Sequence, residues 1–362
     1  MFKVAIKPQW TIREGDRDVL VPRLLGLLVA IAEHGNLSTA CRALAASYRY
    51  AWGLLHQGEL LFGAPLVTSG RGRESKLTAL GEKLVWADRR IAARLSPLLD
   101  SLASELEAEI EESRSAKLAI LHLHASHGFA VEALRDFMTR EQVSIEFKYR
   151  SSLEAIGSLA SKNCEVAGFP VPTGKFEARA LERYAPWLKP RSIKLVHVAL
   201  RRQGLMVAHG NPKKIYALED LARKDVQFIN REKGSGTRLL IEMLLEHAHI
   251  DTRKVNGFEE FEYTHAAVAA YIASGRADAG VGVETPARKF ELEFVPLETE
   301  RYFLACRSES IDLPQIQQLL RVLASDDYKA AVNKLPGYQA SLCGTVMSVR
   351  EAFPAFSQLD RQ

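Results

Sequence analysis

Apolar positions recur along the chain with two periods, one helical and one alternating, and the change of period divides the chain. The first 80 residues show the helical period in three short segments: residues 21–35, 38–45 and 47–63. Ser38 and Ser47 are the predicted N-caps of the second and third helices. Ahead of them, FKVAI at 2–6 and QWTI at 9–12 predict two short strands.

A tight turn joins the second and third of these helices, and the third begins with polar and aromatic residues. This arrangement is typical of a helix-turn-helix, whose second helix presents its N-terminal side chains to the major groove of DNA. The candidate DNA-contacting residues on it are Ser47, Tyr48, Arg49 and Tyr50. Helical hairpins also occur in proteins that do not bind DNA, and there the two tyrosines would be packing residues.

A basic glycine turn between two strand-like ends follows the helices and predicts a wing. Arg71, Arg73 and Lys76 would lie near DNA phosphates, where they contribute affinity and salt dependence rather than sequence choice. Residues 1–95 carry 14 Lys or Arg against 8 Asp or Glu, whereas residues 96–115 carry one arginine and six acids. A basic segment followed by an acidic one indicates separate roles.

One long helix is predicted next, because apolar residues recur every three or four positions from Leu80 to Ile110. The stripe consists of Leu84, Ala87, Ile91, Leu95, Leu98, Leu102, Leu106 and Ile110. Such a stripe needs a partner surface, which would be the same helix of a second subunit or the chain's own domain. Pro97 is expected to kink or split this helix.

From residue 116 onward, strand and helix patterns alternate and predict a parallel α/β sheet. The clean alternation of residues 143–149 is one example of a strand in this region. The scheme repeats in the second half, and VPLETERYFLACR, residues 295–307, would return to the first lobe. Two lobes joined by crossing strands predict a clamp with a ligand at the carboxyl ends of the strands.

Four predicted helix starts converge on that cleft, and each offers backbone N–H groups with a hydroxyl or an imidazole. The candidate ligand-binding residues are Ser126, His127, Ser151, Ser152, Arg231, Ser235, Gly236, Thr237, Arg238, Thr264 and His265. Taken singly, each serine is more often a plain N-cap, and Arg238 has Glu242 four residues on as an alternative partner. Glu284 is also expected near the cleft, where it would repel an anion unless it orients a basic side chain.

Composition narrows the class of protein. The chain has 362 residues, 47% of them hydrophobic and 25% charged, which is typical of a globular protein with two or three domains. No long uncharged apolar run predicts a membrane span, and no signal peptide is evident, so we expect a cytoplasmic protein. The four dispersed cysteines are expected to be reduced core thiols. The lysine and spacing of a phosphate-binding GxxxxGK[ST] loop are absent from the glycine-rich stretch 231–238.

The first part of the chain resembles a known family. Residues 35–67, together with SKLTALGE at 75–82, are similar to the winged-helix domain of molybdate-responsive regulators of the ModE type, relatives of LysR-type DNA-binding heads. The shared features are Gly35, Asn36, SYRYAW at 47–52, FGAPLV at 62–67 and LTALGE at 77–82. The resemblance covers about residues 15–90 and implies DNA binding.

The second part resembles the periplasmic-binding-protein-like domain found behind such heads. FINREKGSGTRLLIEMLL at 228–245 and the stretch 264–284 carry the similarity. It implies the type II fold of molybdate and tungstate carriers, in which hydroxyls and backbone amides hold the oxyanion. Matching hydroxyls are Ser126, Ser152, Ser235, Thr237 and Thr264. The basic residues His127, Arg231, Arg238 and His265 depart from that neutral pocket and allow formate, nitrate or another small organic anion instead.

Together these patterns predict an α+β winged helix-turn-helix head, a connecting dimerisation helix and an α/β bilobal periplasmic-binding-protein-like domain. The expected boundaries are residues 1–80, 81–115 and 116–362, with one lobe at about 116–200 and 300–362 and the other at about 201–299. The predicted function is a one-component transcription regulator that senses a small oxyanion, molybdate or tungstate first. Expected partners are double-stranded operator DNA, the anion and a second copy of the chain or a higher assembly, with no membrane and no cofactor. We expect no enzymatic activity, although a ligand carrier or an enzyme with a winged-helix interaction module stays open.

Overall fold

The structure is a computed structural model that describes residues 3–14, 17–20, 22–69, 74–114 and 119–354. The chain forms two compact units. The smaller unit is Lys7–Leu95, and the larger one combines Met1–Ile6 with Ser96–Gln362. The division falls inside a helix, two residues before Pro97.

The smaller unit contains two strand pairs and three helices ahead of a long fourth helix. Its elements are β1 Thr11–Glu14, β2 Arg17–Leu20, α1 Pro22–His34, α2 Leu37–Ala43, α3 Tyr48–Phe62, β3 Val67–Ser69, β4 Ser75–Leu77 and the start of α4 Ala79–Arg114. Each strand pair is antiparallel. The apolar side chains of α1, α2 and α3 form one core, in which Leu28 and Leu66 are fully buried. A Cβ at Gly58 would lie 2.6 Å from Leu24 Cδ2, so α3 packs closely on α1.

The caps of α2 and α3 differ in how well the sequence predicted them. Ser47 caps α3 as predicted, because its side chain accepts a hydrogen bond from the backbone N–H of Tyr50. The prediction that Ser38 caps α2 is wrong. Asn36 has the extended backbone that a cap needs, and its Oδ1 accepts from Thr39 N at 2.7 Å, whereas Ser38 is already helical.

One other prediction for this region is wrong, and one is contradicted in part. The described residues of FKVAI do not form a strand, and regular pairing begins only at Thr11. Helix α4 is not split at Pro97 but runs as one element of 36 residues, whereas a kink at Pro97 stays a prediction. A proline removes a single backbone donor, and the two flanking helical segments keep their own hydrogen bonds. Ser101 Oγ also donates to the Pro97 carbonyl oxygen at 2.7 Å.

The larger unit alternates strands and helices, as predicted. Its strands are β5 Leu121–Ala125, β6 Ile145–Tyr149, β7 Val166–Pro172, β8 Ile193–Val207, β9 Phe228–Arg231, β10 Phe261–Glu262, β11 Ala279–Val283, β12 Glu293–Arg307, β13 Tyr338–Gln339 and β14 Val346–Ser348. Its further helices are α5 Phe129–Arg140, α6 Ser152–Ala160, α7 Glu177–Tyr184, α8 Gly236–His247, α9 His265–Ala273, α10 Glu284–Lys289, α11 Pro314–Ala324, α12 Asp326–Asn333 and α13 Val349–Ala352.

One sheet connects the whole larger unit, in the order β10-β9-β11-β8-β12-β7-β5-β6 with β13 and β14 also paired to β8. Strands β5, β6 and β7 are parallel and belong to what we call the first lobe. Strands β9, β10 and β11 are parallel and belong to the second lobe. The 15-residue strands β8 and β12 pair antiparallel and run through both groups. The fold is therefore mixed α/β, and residues 295–307 return to the first lobe as predicted.

Candidate anion-binding cleft and exposed helix face

Three of the six predicted cleft hydroxyls serve as helix caps in the structure. Ser151 accepts from Glu154 N at the start of α6, and Ser235 accepts from Arg238 N at the start of α8. Thr264 accepts from Ala267 N at the start of α9. Gly128, not a serine, is the capping residue of α5. The plain capping role therefore accounts for these three hydroxyls.

Close approaches bring the start of α8 against the first lobe. A Cβ at Gly236 would lie 2.5 Å from Pro170 Cγ and 3.6 Å from Ser152 Oγ, and Ser152 is fully buried. A Cβ at Gly234, whose φ is +93°, would lie 3.4 Å from Ser151 Oγ. The glycine-rich loop can therefore sit on the N-terminus of α6 because its glycines have no side chains.

The crossing strands contribute a buried polar network that the sequence analysis did not single out. Arg201 Nε donates to Glu300 Oε1 at 2.5 Å, and Gln203 Nε2 donates to the same oxygen at 2.7 Å. Gln203 Nε2 also lies 3.1 Å from Thr237 Oγ1, which ties the network to the start of α8. All four side chains are buried. The only sequence signal was the placement of these polar residues inside otherwise apolar strands.

The first lobe reaches this network through the turn after β5. A Cβ at Gly128 would lie 2.9 Å from Arg201 Nη1, so the guanidinium lies against the backbone at the start of α5. Arg201 also stacks on Tyr302, with its Cζ 4.9 Å from the ring centre. Tyr302 in turn donates to the Ser126 carbonyl oxygen at 2.9 Å, and its hydroxyl lies 3.1 Å from Ser126 Oγ.

Arg231, at the end of β9, is a buried guanidinium without a carboxylate partner in the hydrogen bonds of the described residues. It is 4% exposed, its Nε donates to the Glu262 carbonyl oxygen and its Nη2 to that of Tyr263. No hydrogen-bond partner reaches its Nη1 among the described residues. Burial lowers the pKa of Arg231 to about 10, so the group stays charged at neutral pH. A buried charge with an unused donor is a strong attractor for an anion.

Two histidines lie within electrostatic reach of this arginine. Burial, reinforced by Arg231 and Arg201, lowers the pKa of His127 to about 3 and places that of His265 well below its usual value. Both rings are therefore neutral at pH 7. Within the described part of the chain, Nδ1 of each ring has no hydrogen-bond partner. A neutral imidazole with a protonated Nδ1 can donate to an anion without adding charge.

Arg238 and Glu284, both expected at the cleft, have their partners elsewhere. Arg238 donates to Glu242, to the Phe258 carbonyl oxygen and to Glu259, and its guanidinium stacks on the Phe258 ring at 4.2 Å. The pairing with Glu242 is the alternative that helical spacing offered. Glu284 pairs with Arg202 and Arg288. We therefore do not count Arg238 among the anion contacts, and Glu284 already has two cationic neighbours.

The smaller unit presents one face of α3 to solvent. Tyr48, Tyr50 and Trp52 are exposed by 53%, 42% and 50%, and Arg49 is exposed beside them. Arg23 Nη1 donates to the Tyr50 hydroxyl at 2.9 Å and so fixes its direction. The packing role considered for the two tyrosines is thus not what the structure shows. Trp52 was not among the predicted DNA contacts, although helical spacing puts it one turn after Tyr48.

The proposed wing is described only in part. Lys76, on β4, is exposed and lies 3.7 Å from Glu74. Arg71 and Arg73 lie outside the described residues. The four cysteines are free and buried, as predicted. Within the described ranges, no cluster of three His, Cys, Asp or Glu residues is placed to hold a metal ion.

No single described helix has the length and apolarity to cross a membrane. Helices α1 and α2 pass that test only as a pair, and they meet at a bend of 117°.

Comparisons with known proteins match the larger unit to a family. Residues 134–324 match the family described as the PBP superfamily domain. The uncharacterized protein YvgK of Bacillus subtilis is 34% identical over 203 residues, 55% of this chain and 64% of the relative. The chain thus spans less than two thirds of that relative. The molybdenum-pterin-binding protein MopB of Rhodobacter capsulatus is 35% identical over 92 residues, 24% of this chain and 34% of MopB. The solved structure of CbnR, a LysR family transcriptional regulator, is 17% identical with a TM-score of 0.39, covering 83% of this chain and 96% of CbnR.

Proposed function

The chain belongs to the PBP superfamily through its domain at residues 134–324, and we propose that it is a transcription regulator that binds DNA with its smaller unit and a small anion with its larger unit. In this proposal residues 1–80 form a winged helix-turn-helix head and residues 81–115 connect and dimerise. Residues 116–362 sense the anion. Binding of the anion would change the affinity for DNA only as far as the anion prefers one conformation of the sensing part over another.

The exposed face of α3 supports DNA binding. Ser47 caps the helix, and Tyr48, Arg49, Tyr50 and Trp52 stand at or near its N-terminus in solvent. The N-terminal residues of a recognition helix are those that meet base edges and phosphates. Exposed aromatic side chains and an arginine at this position are a surface that a solitary globular unit would not need.

The proposed DNA binding can be tested in two steps. A preferred duplex is selected from a random-sequence library, and its affinity for the chain is then measured by fluorescence anisotropy between 50 and 200 mM salt. We expect Lys76→Ala to weaken binding to selected and unselected duplexes alike and to reduce the log–log salt slope by about 1. Arg49→Ala should reduce the preference for the selected duplex. Lys334→Ala, an exposed lysine of the larger unit, is the matched control. Affinity that does not respond to salt would contradict DNA binding.

The unused Nη1 of Arg231 is the observation that carries the anion proposal. The charge is buried, and its two hydrogen bonds go to backbone carbonyl oxygens that do not neutralise it. Neutral His127 and His265 add donors nearby. An anion at this point would satisfy the guanidinium and cancel its charge.

Molybdate and tungstate are the first candidates, supported by the sequence resemblance of the chain and by the molybdenum-pterin-binding relative. Formate and nitrate are supported by the basic side chains, which a carrier pocket of hydroxyls and amides does not need.

A thermal-shift titration with molybdate, tungstate, sulfate, nitrate and formate tests the anion site. An anion at about 100 times its dissociation constant should add roughly 2.7 kcal/mol of stability. Arg231→Met should abolish that gain. Arg223→Met is the control, because Arg223 is also in the second lobe but pairs with Asp220 and Asp225. An undiminished gain in Arg231→Met would show that the anion binds elsewhere.

The exposed leucines of α4 support a homodimer. Leu98, Leu102 and Leu106 lie one turn apart and are exposed by 58%, 44% and 42%. Three leucines in one line on a helix surface favour burial against another apolar face. A second copy of the chain presents the same stripe, and a two-fold pair of heads would match two DNA half-sites.

A further inference from the structure

In the described part of the chain, two buried acceptors on the crossing strands have no hydrogen-bond partner, like Nη1 of Arg231. Gln203 Oε1 and Glu300 Oε2 have no hydrogen-bond partner among the described residues, and their side chains are 0% and 1% exposed. Both belong to the network on the crossing strands, and Glu300 is within electrostatic reach of Arg231. Buried acceptors without donors are rare in folded proteins and indicate a missing partner.

The hydrogen bonds around these residues determine which atoms stay unused. Glu300 Oε1 accepts from both Arg201 and Gln203, which leaves Oε2 without a donor. Gln203 Nε2 bridges Glu300 Oε1 and Thr237 Oγ1. Flipping the Gln203 amide would place its oxygen against the Glu300 carboxylate, where two acceptors would repel each other. Nε2 therefore faces Glu300, and Oε1 needs a donor from another group.

An anion without a donor group would pair Arg231 but complete this site only in part. Molybdate, tungstate, nitrate and formate carry acceptor oxygens but no O–H or N–H group at neutral pH. They would satisfy Arg231 Nη1 and the histidine Nδ1 atoms and leave Gln203 Oε1 and Glu300 Oε2 unsatisfied, with Glu300 repelling them. A site with buried polar groups rejects a ligand that leaves those groups unpaired.

We propose that the ligand is a small anion that also carries at least one O–H or N–H donor. Its anionic oxygens meet Arg231 Nη1 and the Nδ1 atoms of His127 and His265, and its donor meets Glu300 Oε2 or Gln203 Oε1. The ligand class comprises small hydroxy- or amino-carboxylates and protonated oxyanions such as hydrogencarbonate. This assignment rests on the anion site proposed above.

Matched pairs of anions test the requirement for a donor. Calorimetric titration of the full chain would compare hydrogencarbonate with nitrate, which share charge and planar shape but differ by one O–H group. Glycolate against propionate is the corresponding pair of carboxylates. We expect at least one donor-bearing member to bind ten-fold or more tightly than its partner, because only it pairs the buried acceptors. In Gln203→Met or Glu300→Gln, the ratio of the two affinities within a pair should fall toward one. A folded sample of either variant is enough for this test.

The outcomes separate this inference from the function on which it rests. Equal affinity within both pairs, or binding of molybdate, tungstate, nitrate or formate alone, overturns the donor requirement. The anion site itself stands in that case if Arg231→Met abolishes the binding. Binding of none of these anions to the wild-type chain overturns both.

Discussion

His197 illustrates, at the scale of a single residue, what burial does to a titratable group. Its ring is fully buried on β8, edge-on to Phe303 with ring centres 5.4 Å apart. Neither ring nitrogen has a hydrogen-bond partner within the described part of the chain. Burial, with Arg301 contributing, lowers the pKa of His197 to about 4. The ring therefore acts as an aromatic packing residue at neutral pH.

Acid stability should respond to this residue. An unfolded histidine has a pKa of about 6.5. Below that pH the unfolded chain binds a proton at residue 197, whereas the folded chain does not until the pH approaches its lower pKa. The free energy of unfolding is unaffected above pH 6.5 and falls by up to about 1.4 kcal/mol per pH unit between 6.5 and 4. His197→Phe should remove that part of the slope in urea unfolding curves at pH 7, 6 and 5. The same slope in wild type and variant would contradict it.

The absence of a side chain at Gly236 is a second residue-scale feature. An alanine there would place its Cβ 2.5 Å from Pro170, so the start of α8 would have to move away from the first lobe. We expect Gly236→Ala to reduce affinity for the bound anion at least ten-fold or to destabilise the fold by about 1–3 kcal/mol.

The matched control for that change is Gly157→Ala on α6, where the new methyl group has nothing within 4 Å. This substitution should stabilise the chain by up to about 1 kcal/mol through helix propensity. Chemical unfolding and calorimetric titration of both variants provide the check. If Gly236→Ala has the stability and the anion affinity of the wild type, the glycine-rich loop does not pack on Pro170.

At the scale of elements, α4 covers an edge of the large sheet. Strand β6 is the last in the sheet order, so no described strand pairs with one side of it. Ser101 Oγ accepts from Tyr149 N at 3.0 Å and Ser104 Oγ accepts from Phe147 N at 2.8 Å. Serines spaced three apart on the helix thus satisfy alternate N–H groups of the strand, and the edge is closed to pairing with another chain.

Ser104→Ala should therefore lower the free energy of unfolding substantially, although it removes only one hydroxyl group. Ser104 is 1% exposed, and removing its hydroxyl leaves the buried N–H of Phe147 without a partner. We expect a loss of about 1–3 kcal/mol in the free energy of unfolding, measured with urea. Ser113→Ala on the same helix removes an exposed hydroxyl that donates to the Glu109 carbonyl oxygen and should change stability by less than about 0.5 kcal/mol. Equal losses would argue against the edge-capping role.

At the scale of the whole molecule, assembly depends on a surface that a single chain leaves exposed. Leu102 lies in the middle of the exposed leucine stripe of α4. If two copies pair through this stripe, a charge at Leu102 must be buried in the interface without a partner.

Leu102→Glu should therefore shift the chain from dimer toward monomer in analytical ultracentrifugation and weaken its binding to a two-half-site duplex. Leu342→Glu is the control, because that leucine is similarly exposed but is far from α4 in sequence. A monomeric wild type, or a Leu102→Glu variant that stays dimeric, would contradict assembly through α4.

The periodic patterns in the sequence determined the kind and order of most elements. Helical spacing predicted α1, α3, α4 and α8, and alternation predicted β6, because in each of these a single apolar face has to be buried. Local chemistry also predicted Ser47 as a cap. It did not distinguish Ser38 from Asn36, because two neighbouring capping residues offer the same signal and only the backbone conformation decides between them.

Only the tertiary structure decided which polar residues form the candidate cleft. Arg201, Gln203 and Glu300 are interior positions of two strands about 100 residues apart, and their pairing depends on the antiparallel register of β8 and β12. Tertiary structure also brings the Phe258 carbonyl oxygen and Glu259 to Arg238, while Arg231 keeps an unused donor among the described residues. A sequence determines which side chains are available and how they repeat. The partners of a buried charge depend on distances between elements, which local patterns do not contain.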